Sequence, residues 1–288
     1  MSCAKIGVVQ YAVSPLQSEE AFWNGIRQYV DQAQAENVEL LMFPEYLTAH
    51  LLSLNSSLTH REACAYLDQF TEKYLSFFQE ISRESGIMIL GGTHIHQESP
   101  GEFFNEAFFF CPDGSIKRQK KVHLIPEERK IWHLTPGKDF AVFETPLGKV
   151  AILICYDIEF PEVARYVTDQ GAEIILCPTY TDAPAGYYRV RYCAQARAIE
   201  NQRFVALCGL VGEMPGNPQV DVGRSRCGFF SPCDHPFPAD GVLRVGEWDQ
   251  PMLLTCELDL GQLRKNWEIG QVSPFKDRRP EVYQEWGA

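Results

Sequence analysis

The sequence predicts an α/β protein of two similar halves, each a sheet with a helical outer layer, the two sheets packed face to face. Three observations carry this. Strand-like and helix-like stretches alternate along the whole chain. Residues 35–44 (AENVELLMFP) echo residues 171–178 (GAEIILCP), each running from a helix end through a buried strand to proline. No Gly- or Ser-rich linker divides the 288 residues, so one domain over residues 1–288 is expected.

The elements follow in order. A short strand is expected at 6–10. Residues 18–36 carry Phe22, Ile26, Tyr29, Val30 and Ala33 at helical spacing. A second strand, 38–43, is stopped by Pro44. Residues 61–85 read as one long amphipathic helix, with Tyr66, Phe70, Tyr74, Phe77 and Ile81 on one side and Gly86 closing it. A strand begins at 87–90. Strands at 107–111 and 115–121 flank Pro112-Asp113-Gly114, and strands at 140–145 and 149–154 flank Pro146-Leu147-Gly148, two hairpin signals. Helix 160–170, strand 174–177, helix 187–201 and strands 204–210, 228–231 and 252–258 complete the pattern.

Composition narrows the function. The apolar share is 45%, ordinary for a protein with a sizeable core. The net charge of −12 with no basic stripe argues against nucleic acid and anionic membrane surfaces as partners. The ten cysteines are scattered, with no CxxC pair, and read as reduced, mostly buried thiols. Residues 1–5 show no secretory signal, and no apolar run is long enough to span a bilayer. A cytoplasmic enzyme acting on a small molecule is the expectation.

The chemistry gathers at three strand exits. Phe43-Pro44-Glu45-Tyr46 puts a carboxylate just past a buried strand, and Lys120-Lys121-Val122-His123-Leu124 puts an ammonium at the end of another. The apolar run Val150-Ala151-Ile152-Leu153-Ile154 ends on Cys155, followed by Tyr156-Asp157 and a helix start at Phe160-Pro161-Glu162. A strand that delivers a cysteine to a turn presents the sulfur at a sheet edge, with backbone N–H groups facing whatever it attacks. A free thiol with a pKa near 8.5 needs a base or a cationic neighbour to react at neutral pH.

These three motifs, in this order and spacing, resemble the nitrilase superfamily of carbon–nitrogen hydrolases. Ala196-Arg197-Ala198-Ile199-Glu200-Asn201 and Gly7-Val8-Val9-Gln10 add flanking matches, so the likeness spans the chain. The resemblance implies a four-layer α-β-β-α sandwich and a homodimer or larger assembly, with helices 160–170 and 187–201 as the candidate interface. It implies a catalytic triad of Glu45 as general base, Lys121 as oxyanion and thiolate stabiliser, and Cys155 as nucleophile forming a thioester. A fourth acidic residue, Glu127 or Glu128, is implied near the site, with Glu128 fitting the spacing better. The Tyr156 N–H is the candidate second oxyanion donor. No cofactor and no metal is implied.

The family's true nitrilases carry Trp-Glu after the cysteine. Tyr156-Asp157 here therefore favours an amide or N-carbamoyl amine over a nitrile. Residues 186–197 also look like an amidase-like branch in which some members carry an acetyltransferase domain, and nothing about acetyl transfer is carried over. Arg189, Arg191 and Arg197 are either ordinary helix charges or holders of a substrate carboxylate, Arg191 being the chosen candidate. Tyr180 and Tyr188 are either pocket walls or packing residues. Two rivals stand beside this reading: a Cys–His hydrolase using His123, and a catalytically idle member serving in binding or assembly. His94 and His96 alternate on one strand face, but no further ligand cluster accompanies them.

Overall fold

The computed structural model describes residues 3–55 and 57–286; Met1 and Ser2, part of the N-terminal reading above, lie outside them. The strands are β1 Cys3–Val13, β2 Leu40–Met42, β3 Met88–Ser99, β4 Glu102–Phe110, β5 Ile116–Lys120, β6 Val142–Thr145, β7 Gly148–Ile152, β8 Ile174–Thr179, β9 Phe204–Glu213, β10 Val222–Gly223, β11 Gly228–Phe230, β12 Val242–Val245 and β13 Met252–Asp259. The helices are α1 Glu19–Ala35, α2 His60–Asp68, α3 Thr71–Ser85, α4 Pro126–Lys130, α5 Pro161–Asp169, α6 Pro184–Asn201, α7 Leu260–Ile269 and α8 Pro280–Glu285. Two 3-10 turns, Leu47–Leu54 and Cys155–Glu159, follow the first and third motifs.

Strand order is β5-β4-β3-β2-β1-β9-β8-β7-β6. In the first half β1, β2 and β3 run parallel, and β13 adds antiparallel to β1. In the second half β7, β8 and β9 run parallel. The halves are joined where Tyr11–Val13 of β1 pairs with residues 210–212 of β9. The result is the four-layer α-β-β-α sandwich.

Side-chain alternation builds the layers. Ile6, Val8, Leu40, Met42, Leu90 and Phe109 belong to a core shared with Ile152, Leu176 and Ala206 of the second sheet. Their neighbours Val9, Leu41, Ile89, Phe108 and Phe110 turn the other way, onto Phe22, Ile26 and Val30 of α1 and Tyr74, Phe78 and Ile81 of α3. Both faces of these strands are buried, which is why they read as continuous apolar runs.

One long helix over 61–85 does not form. The chain breaks at Gln69–Phe70 into α2 and α3, because Asp68 turns its carboxylate to Thr71 Oγ1 (3.2 Å) and Gln97 N (2.8 Å). The apolar stripe keeps its phase across the break, so periodicity could not reveal it. The first strand is also longer than expected, since Tyr11–Val13 carry it across to β9.

Candidate active site

Glu45 leaves β2 through a tight crossing. Phe43 N donates to Leu90 O, and Thr93 N donates to Pro44 O. A Cβ on Gly92, at φ +71°, would lie 2.2 Å from Pro44 O, so only glycine lets the two strand exits approach this closely. Tyr46, at φ +56°, is anchored by its N–H to Thr93 Oγ1 at 2.8 Å.

Lys121 lies one residue past β5. Its N–H donates to Asn105 O and its carbonyl accepts from Gly137 N. Alternation sends Lys120 outward to Glu98 and turns Lys121 inward, where it is 2% exposed.

Cys155 follows β7 at φ +48°, a left-handed conformation that costs a non-glycine residue about 1–3 kcal/mol and marks a site held by its surroundings. Those surroundings are specific. Asp157 accepts from Ile154 N, His123 N and His123 Nδ1, while His123 stacks on Phe160 at 3.8 Å. Buried Arg197 donates to Ile158 O and Glu159 O, the last carbonyls of the 3-10 turn. This turn therefore carries the sulfur on a braced support. The Tyr156 N–H sits in its first turn, where backbone donors lack an intrahelical acceptor.

The three exits meet. Lys121 Nζ donates to Glu45 Oε1 at 2.7 Å and to Glu128 Oε1 at 2.9 Å. Glu45 Oε1 also accepts from Asn105 Nδ2 at 2.9 Å, and Glu45 Oε2 accepts from Tyr180 N at 2.9 Å. Glu128 is held by the Tyr46 hydroxyl, Asn105 Nδ2 and Ile125 N. The Cys155 thiol donates to Tyr180 O at 3.4 Å, and it stands among the groups that hydrogen-bond Glu45. Tyr180 thus binds the carboxylate with its N–H and the thiol with its carbonyl.

A single cation between two buried carboxylates gains roughly 5–6 kcal/mol of gross attraction per contact at an effective dielectric near 20. That is the same order as the cost of desolvating each ion. The neutral donors from Asn105, Tyr46, Tyr180 and Ile125 supply the remainder. Burial raises the Glu45 carboxyl, reinforced by Glu128 and opposed by Lys121. Burial would lower Lys121, but Glu128 and Glu45 more than offset it and hold the ammonium well above its usual range. Burial and the Glu45 charge push the Cys155 thiol well up, against a smaller opposing effect of Lys121. Lys121 acts on the sulfur in the direction expected of it, toward the thiolate, but burial and Glu45 outweigh it and favour the protonated thiol.

Glu45, Lys121, Cys155, Tyr156 and Tyr180 line a cavity of about 400 Å³ together with Tyr46, Trp132, Glu159 and Arg189. Of the adjacent glutamates, Glu128 is fully buried against Lys121 and Glu127 stands at the cavity rim. Two expected substrate-binding residues lie elsewhere. The face of α6 toward the cavity is Gly186, Arg189 and Val190, which leaves Tyr188 and Arg191 on other faces at 100° per residue. Tyr188 instead stacks on Trp248, and Arg191 lies beside the Tyr187 hydroxyl. Arg189 takes the place expected of Arg191, its Nε donating to both oxygens of Glu159 at 2.9 Å.

Asn105, Tyr46 and Trp132 were missed. Tyr46 adjoins Glu45 in the quoted motif, but Asn105 sits inside β4 with no local mark. His94 spends its two ring nitrogens on Thr48 and Thr71. His96 pairs with Glu106, whose other partner is the Arg118 guanidinium, so a side-chain cation already occupies the His96–Glu98–Glu106 cluster. Among the described residues, no helix is long and apolar enough to cross a membrane.

Comparison with known proteins gives the family and the fold. A profile of the carbon-nitrogen hydrolase family matches residues 5–231. The chain is 39% identical over 97% of its length to the probable hydrolase YhcX of Bacillus subtilis, of which it spans about half (54%). It is 28% identical to the omega-amidase NIT2-A of Xenopus laevis, over 98% of each chain. Among solved structures, an amidase from Nesterenkonia sp. AN1 in complex with acrylamide superposes with a TM-score of 0.77 at 22% identity, covering 99% of this chain and 98% of that one. Nit3 of Saccharomyces cerevisiae, a member of the nitrilase superfamily, gives 0.74 at 21% identity over 93% and 94%.

Proposed function

This chain belongs to the carbon-nitrogen hydrolase family of the nitrilase superfamily, and from that premise we propose that it hydrolyses the C–N bond of a small linear amide through a thioester at Cys155. The observation that supports this most is the meeting of Glu45, Lys121 and Cys155 at one cavity, with Tyr180 binding two of them. Relatives named as omega-amidases and amidases point to amides rather than nitriles.

The steps balance as follows. Sulfur attacks the amide carbon as Glu45 takes the thiol proton, and the carbonyl π electrons move to oxygen. Lys121 Nζ and the Tyr156 N–H receive that oxyanion. The tetrahedral adduct collapses, the C–N bond breaks, and Glu45 returns its proton to the departing nitrogen. Water then attacks the thioester carbon with Glu45 as base, the C–S bond breaks, and the sulfur regains a proton. The products are a carboxylic acid and ammonia or an amine. Glu128, Asn105 and Tyr46 act through Lys121 and Glu45 as positioning residues.

The test is ammonia release across a panel of short amides, N-carbamoyl amines and nitriles. Amides should turn over fastest, and His123→Ala should keep kcat within about 10-fold, since His123 braces Asp157 and does not line the cavity. Loss of all activity in His123→Ala with Glu45→Gln near wild type would replace this mechanism by the Cys–His one.

The same reading pairs two copies of the chain through α5 and α6, where Tyr166 and Tyr192 are 49% and 62% exposed. Light scattering should return twice the 32.8 kDa chain mass, and a monomer at micromolar concentration would end that part of the reading.

A further inference from the structure

Charge around the cavity is mostly negative, with His60 the one basic side chain of its lining besides Lys121 and Arg189. Its two strong cations are already engaged, Lys121 by Glu45 and Glu128, and Arg189 by Glu159. Glu127, Asp182 and Asp221 also line it, and among the described residues none of the three has an ion-pair partner within 4 Å. They come from three separate segments: α4, the connection from β8 to α6, and the loop from β9 to β10. Their fields overlap. After burial, and against an opposing effect of His60, Asp182 and Asp221 push the Glu127 carboxyl up, and all three acids hold the Tyr180 phenol up. Folding gathers like charges from three loops over the nucleophile, an arrangement that a bound cation relieves.

A second observation is independent of these charges. Gln219, 4% exposed, stands two residues before Asp221 and lines the same cavity. Its Nε2 donates to Cys64 Sγ at 3.2 Å, and its Oε1 has no donor. A buried acceptor left unsatisfied costs about 1–3 kcal/mol, which an incoming N–H recovers. In the same wall the indole N–H of Trp132, 1% exposed, lacks an acceptor and suits an oxygen on the ligand.

We propose that the substrate is an amide whose far end carries a cation, an ammonium or guanidinium group, seated between Gln219 and the rim carboxylates Glu127, Asp182 and Asp221. This rests on the amide-hydrolysis reading above. The net charge of −12 adds long-range attraction of the same sign. The competing occupant is a carboxylate-tailed amide held by Arg189, whose Nε is shared by both oxygens of Glu159.

The experiment compares kcat/KM for three linear amides of equal length ending in ammonium, methyl or carboxylate. The ammonium-tailed amide should exceed the methyl-tailed one by about 10–100-fold, with the carboxylate last. The triple variant Glu127→Gln, Asp182→Asn, Asp221→Asn should reduce that advantage to below about 3-fold and leave the methyl-tailed amide within about 3-fold of wild type. A carboxylate preference, equal rates across the tails, or an advantage that survives the triple variant overturns the cation seat. Calorimetric titration of Cys155→Ala with the same compounds separates the two readings. Selective binding of the ammonium-tailed amide, with no tail turned over by the intact enzyme, supports the seat and sinks amide hydrolysis. Binding without selectivity overturns the seat.

Discussion

Cys155→Ala and Glu45→Gln are each expected to lower kcat by about 10⁴-fold or more, and the double variant to lose no more than the worse single one. The reason is that in the proposed mechanism the two side chains perform one act. With burial holding the thiol protonated, sulfur becomes a nucleophile only as Glu45 receives its proton, so removing either group removes the whole step. Glutamine preserves the volume at position 45 and an oxygen for Lys121, so the fold should survive. An additive double loss would mean that the groups act independently and would refute the coupled transfer. The pH profile has a sign that follows from the same shifts. Activity should rise with pH as Glu45 ionises, at a pKa above the ordinary glutamate value of 4.5, and should not fall through pH 9, since burial holds the Cys155 proton, and Glu128 and Glu45 hold the Lys121 proton, well above their usual ranges. An alkaline limb below pH 8 would contradict the protonated resting thiol.

Lys121→Met should cost both function and fold. It removes an oxyanion donor, worth about 10²–10³ in kcat, and it strands Glu45 and Glu128 as two buried carboxylates with no cation between them. Breaking a buried ion pair in this way destabilises by about 3–5 kcal/mol, so the midpoint of urea unfolding should move well down. Adding Glu128→Gln to Lys121→Met should recover more than half of that stability and none of the activity. This split separates the electrostatic role of Lys121 from its catalytic one. A Lys121→Met protein as stable as wild type would show that the carboxylates share a proton instead of relying on the ammonium.

The fold was legible wherever both faces of an element are buried. β2, β7 and β8 announce themselves as apolar runs because the sandwich covers them on both sides, and Pro44 and Gly86 mark where such runs stop. The break between α2 and α3 was illegible, since the groups that make it, the Asp68 and Thr71 side chains and the Gln97 backbone N–H, are distant in sequence or ordinary in type. Arg191 and Tyr188 were misassigned for a related reason. Composition identified a cationic, aromatic helix segment, but which face meets the cavity depends on how α6 docks on the second sheet, and docking placed Arg189 there.

By itself the sequence placed the three candidate reactive groups: a cysteine at a strand exit, a carboxylate after Pro44 and a lysine after the first hairpin, each produced by local patterning that short-range sterics and burial enforce. The tertiary structure alone decided their electrostatics. Glu128 rather than Glu127 meets Lys121, Asn105 bridges both carboxylates from inside a strand, and rim acids from three loops face one mouth. Charge–charge energies depend on distance and solvent exposure, and those quantities exist only once β2, β4, β5, β7 and β8 have brought their ends together.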